Sequence, residues 1–270
     1  MDTKRIVKEY YNNCVEEEWE RIHNQPEFMI TIRFLDRYIQ PGDKVLDIGG
    51  GPGRYSLYLA EKGCDVTLFD LSEENVAFAR LKADELNLKL TGICGDACVI
   101  NDIVKGEFDH ILLMGPMYHL LEEPDRVKAV NAALSLLKNN GVIFVSFINM
   151  YATMVYLMRE NPAAIISDIP DAVEYFKDLF SGRSFKGNAF TKAHFIDQNE
   201  ILPFMNQFGL EMLHVFGQEG MTSPCRDNIM AQPEEVVNAW LAFCEKTCER
   251  EELLSWAEHI MYVGRKVGIA

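Results

Sequence analysis

The segment Val45-Leu46-Asp47-Ile48-Gly49-Gly50-Gly51-Pro52-Gly53 constrains this chain more than any other, because an apolar run of strand length enters directly into a glycine-rich turn. Arg54 to Ala60 follows with apolar residues at Tyr55, Leu57, Tyr58 and Leu59, a helical spacing, so the unit reads strand, turn, helix. Glycines suit such a turn because side chains would keep a ligand away from the backbone and because tight turns often need positive φ. The helix that follows presents unpaired N–H groups at its start. A plain connection needs fewer glycines, so the turn is expected to hold a cofactor.

The same alternation continues downstream. Strands are predicted at Lys44 to Ile48, Asp65 to Phe69, Leu88 to Cys94, Asp109 to Met114 and Val142 to Ile148, with helices at Arg54 to Lys62, from the N-cap Ser72 to about Asn87, and at Glu122 to Lys138. Strands alternating with helices imply a parallel sheet covered on both faces. Two helices, about residues 3 to 23 and 27 to 39, precede it, with Pro26 between them and Pro41-Gly42 closing the second. After Asn149 the pattern breaks into about fifty residues rich in Tyr, Phe and Met, read as a helical lid. A helix near 198 to 208, a strand Leu210 to Phe216, a helix near 233 to 250 and a strand near 260 to 266 complete the chain. The expected division is a helical flap at 1–40, an α/β domain from 41–149 and 197–270, and a lid at 150–196.

Composition removes several classes. With 26 Lys and Arg against 41 Asp and Glu, the net charge is −15, which opposes the phosphate neutralisation that nucleic-acid binding requires. Seven cysteines, at 14, 64, 94, 98, 225, 244 and 248, contain no C-x-x-C pair, so neither a disulfide framework nor a metal site is signalled; reduced, mostly buried thiols are expected. The first residues carry no apolar signal segment, and a cytoplasmic protein is expected. Asn139 to Met158 is uncharged and long enough to span a bilayer, but its β-branched first half and the polar Ser146, Asn149 and Thr153 fit a buried strand followed by a helix, not a membrane span.

Two acidic residues stand where the second and third strands end. Asp70 closes Thr67-Leu68-Phe69, 17 positions after Gly53, where a carboxylate can accept both hydroxyls of an adenosine ribose. Asp96, in Gly95-Asp96-Ala97, could take an adenine amino group.

Taken together these residues resemble the class I S-adenosylmethionine-dependent methyltransferases over roughly residues 40 to 150. Asp47-x-Gly49-x-Gly51-x-Gly53 is similar to that family's first motif, Asp70 to its ribose-binding acid, Asp96-Ala97 to its adenine-contact pair, and Asp109 to Met114 to its fourth strand. The resemblance implies a Rossmann-like, seven-stranded, mostly parallel sheet in the order 3-2-1-4-5-7-6, with the seventh strand antiparallel. It also implies S-adenosylmethionine as cofactor, with Asp47, Gly49, Gly50, Gly51 and Gly53 at its methionine end, Asp70 and Leu71 at the ribose, Asp96 and Ala97 at the adenine, and Met114 contributing its backbone. The activity implied is methyl transfer to an oxygen or nitrogen of a small-molecule acceptor. A dinucleotide oxidoreductase would share the turn and the ribose acid, but G-G-G-P-G departs from G-x-G-x-x-G. A catalytically silent cofactor-binding regulator would keep the turn and lack an acceptor pocket.

The fourth strand runs into Gly115-Pro116-Met117-Tyr118-His119-Leu120, where the family places its acceptor. Nucleobase amino-methyltransferases often carry Asn/Asp-Pro-Pro-Tyr there, and Gly115 lacks the leading polar group. Tyr118 is expected to wall the pocket. His119 is either a base for an acceptor that must lose a proton or a residue bonded to the following helix. Tyr10, Tyr11 and Trp19 either close a flap over the cofactor or pack between helices. Tyr11, Tyr118 and Tyr151 are the candidate substrate contacts.

Overall fold

The computed structural model describes residues 3–23 and 25–268. Three helices open it: α1 Thr3–Asn13, α2 Val15–Ile22 and α3 Pro26–Leu35. The single first helix expected from periodicity is broken at Cys14, whose backbone leaves the helical region at φ −131°, ψ 32°. The alternating unit follows as β1 Lys44–Ile48, α4 Arg54–Glu61, β2 Asp65–Asp70, α5 Glu73–Glu85, β3 Leu90–Cys94, α6 Ile100–Ile103, β4 Phe108–Leu113, α7 Pro116–His119, α8 Glu123–Leu136 and β5 Leu137–Asn149. The insertion holds α9 Ala152–Glu160, α10 Pro170–Phe180, β6 Phe185–Asn188 and β7 Lys192–Ile196. The chain then continues with α11 Gln198–Asn206, β8 Leu210–Gly217, α12 Arg226–Met230, α13 Glu234–Thr247 and β9 His259–Lys266.

Side chains alternate across the sheet, so each strand feeds two cores. Leu46, Ile48, Ile111, Leu113, Ile143 and Val145 pack on one face under α8 and α11. Val45, Leu112, Val142 and Phe144 pack on the other under α3, α4 and α13. Ile30, Phe34 and Leu35 of α3 are completely buried there, so the third opening helix is a core element and not part of a flap.

Nine strands form one sheet. Without the β6–β7 hairpin the order is β3-β2-β1-β4-β5-β9-β8, with β9 antiparallel to β5, which is the order and polarity the resemblance implies. The hairpin is the departure. The last part of the insertion expected to be helical is strand: β7 pairs parallel to β5 at Ile148↔Phe195 and Asn149↔Ile196. Ile148 pairs with His259 of β9 on its other edge, so β7 occupies the side on which β4 has already ended. Phe185 and Phe195 bury their rings against Tyr175 of α10, giving the hairpin its own small core with α9 and α10.

The uncharged stretch 139–158 divides into the end of β5 and most of α9, and no helix among the described residues is long and apolar enough to cross a membrane. All seven cysteines are free thiols; Cys64, Cys244 and Cys248 are buried, whereas Cys94 and Cys225 are exposed, so burial holds for a minority.

Candidate functional site

The glycine turn is held by contacts that only small residues allow. Gly49 has φ +73°, and a Cβ there would run into the Pro116 ring. A Cβ on Gly115 would meet the Gly49 carbonyl oxygen at 2.7 Å. The ends of β1 and β4 therefore touch backbone to backbone, which explains why no polar side chain leads the Gly115-Pro116 turn. Gly53 serves packing instead, because a Cβ there would lie 2.9 Å from that of Ala79. This glycine lets α4 approach α5 and does not line the cleft.

A cavity of about 1080 Å³, counted to its open mouth, lies over this turn. Gly49, Gly50, Gly51, Asp70, Leu71, Asp96, Ala97, Met114, Tyr11, Tyr118 and His119 all line it, so most sequence-predicted residues converge at the carboxyl edge. Asp70 accepts from the Gly51 N–H at 2.9 Å through one oxygen and from the Ser72 N–H at 2.8 Å through the other. Asn75 Nδ2 adds a longer bond at 3.3 Å to the oxygen that Ser72 meets, and since each carboxylate oxygen offers about two acceptor positions, the open one lies on the oxygen that Gly51 meets. Burial raises the Asp70 pKa, against the pull of these N–H groups. Burial opposes ionisation of Asp96 too, yet Lys4 at 2.5 Å and the Cys98 N–H hold its pKa below the usual value. Through Lys4–Asp96, Lys8–Glu73 and the Ser72–Asn12 hydrogen bond, α1 lies across the cleft. Trp19 lies under the Arg54 guanidinium and meets Phe78 edge-on outside it.

Asp47 lies beneath the turn, fully buried and off the cavity wall. One oxygen accepts from Ser56 Oγ at 2.7 Å and the other has no partner. Burial pushes its pKa up to about 7.

A second cavity, about 1310 Å³, adjoins the first and shares Tyr11, Glu18, Arg21, Tyr118 and His259 with it. Its walls include Tyr156 and Leu157 of α9, Phe190 of the hairpin turn, and Arg159 and Arg226. Tyr151 lies on neither wall and is 39% exposed; the helix presents Tyr156 instead.

His119 is placed differently from both sequence expectations. Its Nδ1 lies 3.0 Å from the Lys192 carbonyl, which can only accept, so Nδ1 carries the proton and donates. Nε2 then accepts from the Tyr11 hydroxyl at 2.7 Å. Burial drives its pKa down to about 4, against the carbonyl's opposing effect. A neutral imidazole with both nitrogens engaged is a poor match to a base that titrates near neutrality, and its partners are β7 and α1, not the following helix.

Sequence reasoning missed His259. As the first residue of the antiparallel β9, it starts where the parallel strands end, at the carboxyl edge. Its Nδ1 donates to Glu219 at 2.6 Å, and Glu27 approaches to 3.9 Å. Despite burial, which lowers it, these two carboxylates raise the imidazole pKa to about 9. Burial raises the Glu219 pKa, whereas His259 and Arg21 lower that of Glu27 against burial. Ligand atoms of Glu27, Glu219 and His259 all lie within 4.8 Å of one another, close enough for a cation, but the Nδ1 proton and Arg21 already satisfy these carboxylates. The sequence offered only Glu219 forty positions before His259, which is no motif.

A mostly parallel sheet with a glycine turn and two acids at its carboxyl edge defines a Rossmann-like nucleotide-binding fold. Residues 45–141 match the family model described as a methyltransferase domain. A ubiquinone biosynthesis O-methyltransferase from Xanthomonas campestris is 30% identical over 143 residues, 53% of this chain and 59% of that protein. A glycine/sarcosine N-methyltransferase from Parasynechococcus marenigrum is 29% identical over 154 residues, 55% of this chain and 54% of that protein. The first match thus spans about three fifths of its relative's length. Magnesium protoporphyrin IX methyltransferase from Synechocystis, solved with S-adenosylhomocysteine, superposes with a TM-score of 0.60 at 15% identity, covering 98% of this chain and 100% of that one. The 1,6-didemethyltoxoflavin-N1-methyltransferase of Burkholderia thailandensis gives 0.61 at 14% identity, covering 98% and 88%. At such identities these structures speak for the fold alone. The family match places a methyltransferase domain over residues 45–141, whose motif residues resemble those of the class I S-adenosylmethionine-dependent methyltransferases.

Proposed function

We propose that this protein transfers a methyl group from S-adenosylmethionine to an oxygen or nitrogen of a small molecule held in the second cavity. The observation that carries this reading is the shared wall: Tyr11, Tyr118 and His259 border both the glycine-turn cleft and the adjoining cavity. A silent cofactor binder has no use for a second chamber opening onto the first. The cleft fits the cofactor by its own features, since Gly49 to Gly51 leave backbone exposed and Asp70 retains acceptor capacity.

When bound, the sulfonium supplies a methyl group with an already activated leaving group, so the protein's contribution is alignment and exclusion of water. Asp70 and Leu71 would hold the ribose, Asp96 and Ala97 the adenine, and the glycine turn with the Met114 backbone the methionine end. Tyr118 is half-buried between the chambers, and desolvation raises its pKa, so its hydroxyl stays protonated. His119 acts as a positioning residue that fixes Tyr11 against β7. The lid residues Tyr156 and Phe190 would shield the acceptor from water.

Calorimetry tests the reading. S-adenosylhomocysteine is expected to bind and NAD not to compete. Asp70→Ala is expected to lose roughly ten- to a hundredfold in affinity, since a charge-assisted hydrogen bond at about 1.5–3 kcal/mol disappears. Unchanged affinity in a folded Asp70→Ala protein would defeat the ribose assignment.

A further inference from the structure

The second cavity combines two properties that together specify an occupant. Its body is aromatic, with Tyr118, Tyr156, Phe190 and Phe195 on its walls. Its charge runs against that of the chain as a whole: in a protein of net charge −15, the lining carries Arg21, Arg159, Arg226 and His259 against Glu18 and Glu258. The further carboxylates that balance these cations stand outside its lining: Glu27 on the wall of the first cavity, and Glu219, Glu160 and Asp227 on neither wall. Glu258 is occupied as well, since its Oε1 accepts from Arg159 at 2.9 Å and from Ser223 at 2.5 Å.

Two donors remain unspent. Arg226 reaches Glu258 through Nη1 only at a long 3.5 Å, and its Nε, 3.7 Å from Asp227, is buried without a hydrogen bond. Such an orphaned donor costs free energy unless a ligand satisfies it. His259 commits Nδ1 to Glu219, which leaves Nε2 as the ring nitrogen free of that bond, on a residue that lines both cavities.

Building on the methyltransferase reading, we propose that the acceptor is an aromatic carboxylate, its ring between the tyrosine and phenylalanine walls and its anionic group received by Arg226 and His259. A guanidinium and an imidazolium give charge-assisted bonds to a carboxylate that a neutral amide or a cationic amine cannot reproduce. His259 stays protonated through neutral pH because Glu219, following β8, and Glu27 of α3 outweigh burial and the opposing charge of Arg21 on α2. The other charged or titratable groups around it are Glu18 of α2, Tyr118 of α7, Arg226 of α12 and the adjacent Glu258.

The test uses benzoate, benzamide and benzylamine as probes, titrated at pH 7 into the full chain saturated with S-adenosylhomocysteine and followed by ligand-observed NMR. Benzoate should bind at least about tenfold more tightly than either other ring. Arg226→Gln should lower benzoate affinity about tenfold, Arg226→Lys should restore part of it, and neither should change benzamide binding. The preference for benzoate should fall as pH rises through about 9, where His259 loses its proton, and His259→Asn should show no such fall. Equal affinity for benzoate and benzamide, or a preference untouched in both Arg226→Gln and His259→Asn, overturns the proposal. S-adenosylhomocysteine binding, measured on every variant, reports folding and tests the methyltransferase reading separately. If the nucleoside fails to bind the wild-type protein, that reading falls, and benzoate titrated into the chain alone still decides the charge preference.

Discussion

The two cavities meet at Tyr11, Tyr118 and His259 yet are built by different rules. The first is made of strand ends and the turns that follow them, and its key residues lie within short stretches: 49–52, 70–71, 96–97 and 114–119. The second draws on α1, α2, α7, α9, the β6–β7 hairpin, α12 and the start of β9, segments separated by up to about 250 residues. A turn that must let a ligand reach backbone imposes glycine at fixed spacing, whereas a chamber walled by side chains from many elements imposes only size and polarity at each position. The first chamber accordingly carries a motif and the second does not.

Three outcomes would break or sharpen this contrast. The largest effect is expected at Asp47, under the glycine turn. The folded chain keeps its proton up to about pH 7, whereas the unfolded chain releases it near 3.8. Stability should therefore fall as pH rises between those values, by up to about 4 kcal/mol, and change little with this group above them. Asp47→Asn should flatten that slope in urea titrations of the ligand-free protein. A slope equal to that of wild type would mean that Asp47 is ionised in the fold and that the turn is held differently.

The second outcome separates the chambers. Phe190 lies on the second cavity's wall, 6.0 Å from the Tyr10 ring and 5.9 Å from that of His119, centroid to centroid. Phe190→Ala should raise the acceptor KM roughly five- to tenfold, about 1–1.4 kcal/mol, and change S-adenosylhomocysteine affinity less than twofold. An equal loss of both would show one continuous site in place of two.

The smallest effect concerns the seam. Tyr11→Phe removes the hydroxyl that His119 Nε2 accepts, a contact worth about 0.5–1.5 kcal/mol, and should slow turnover by only a few fold. Since the His119 pKa is driven down to about 4, the pH–rate profile between 6 and 8 should be the same in wild type and His119→Asn. A neutral-pH ionisation that vanishes in His119→Asn would restore this residue as a base.

What the sequence by itself determined follows from local rules. The β1 boundaries, the strand–turn–helix unit and the Ser72 cap, whose Oγ accepts from the Asn75 N–H at 3.1 Å, are set by neighbours within a few residues. The order of the seven principal strands was legible through the resemblance, because right-handed crossovers leave few arrangements for alternating strands and helices. Tertiary structure decided the rest. The stretch 185–196 became a hairpin, not lid helix, because β4 ends early and leaves an edge of β5 for β7 to pair with, a fact about a strand seventy residues away. His119 has its imidazole silenced by burial, with a carbonyl of β7 and a hydroxyl of α1 holding its two nitrogens. His259 gained its charge because β9 runs antiparallel and brings it to Glu219 and Glu27. A pKa and a strand edge are set by whatever surrounds them in space, and no window of sequence contains those surroundings.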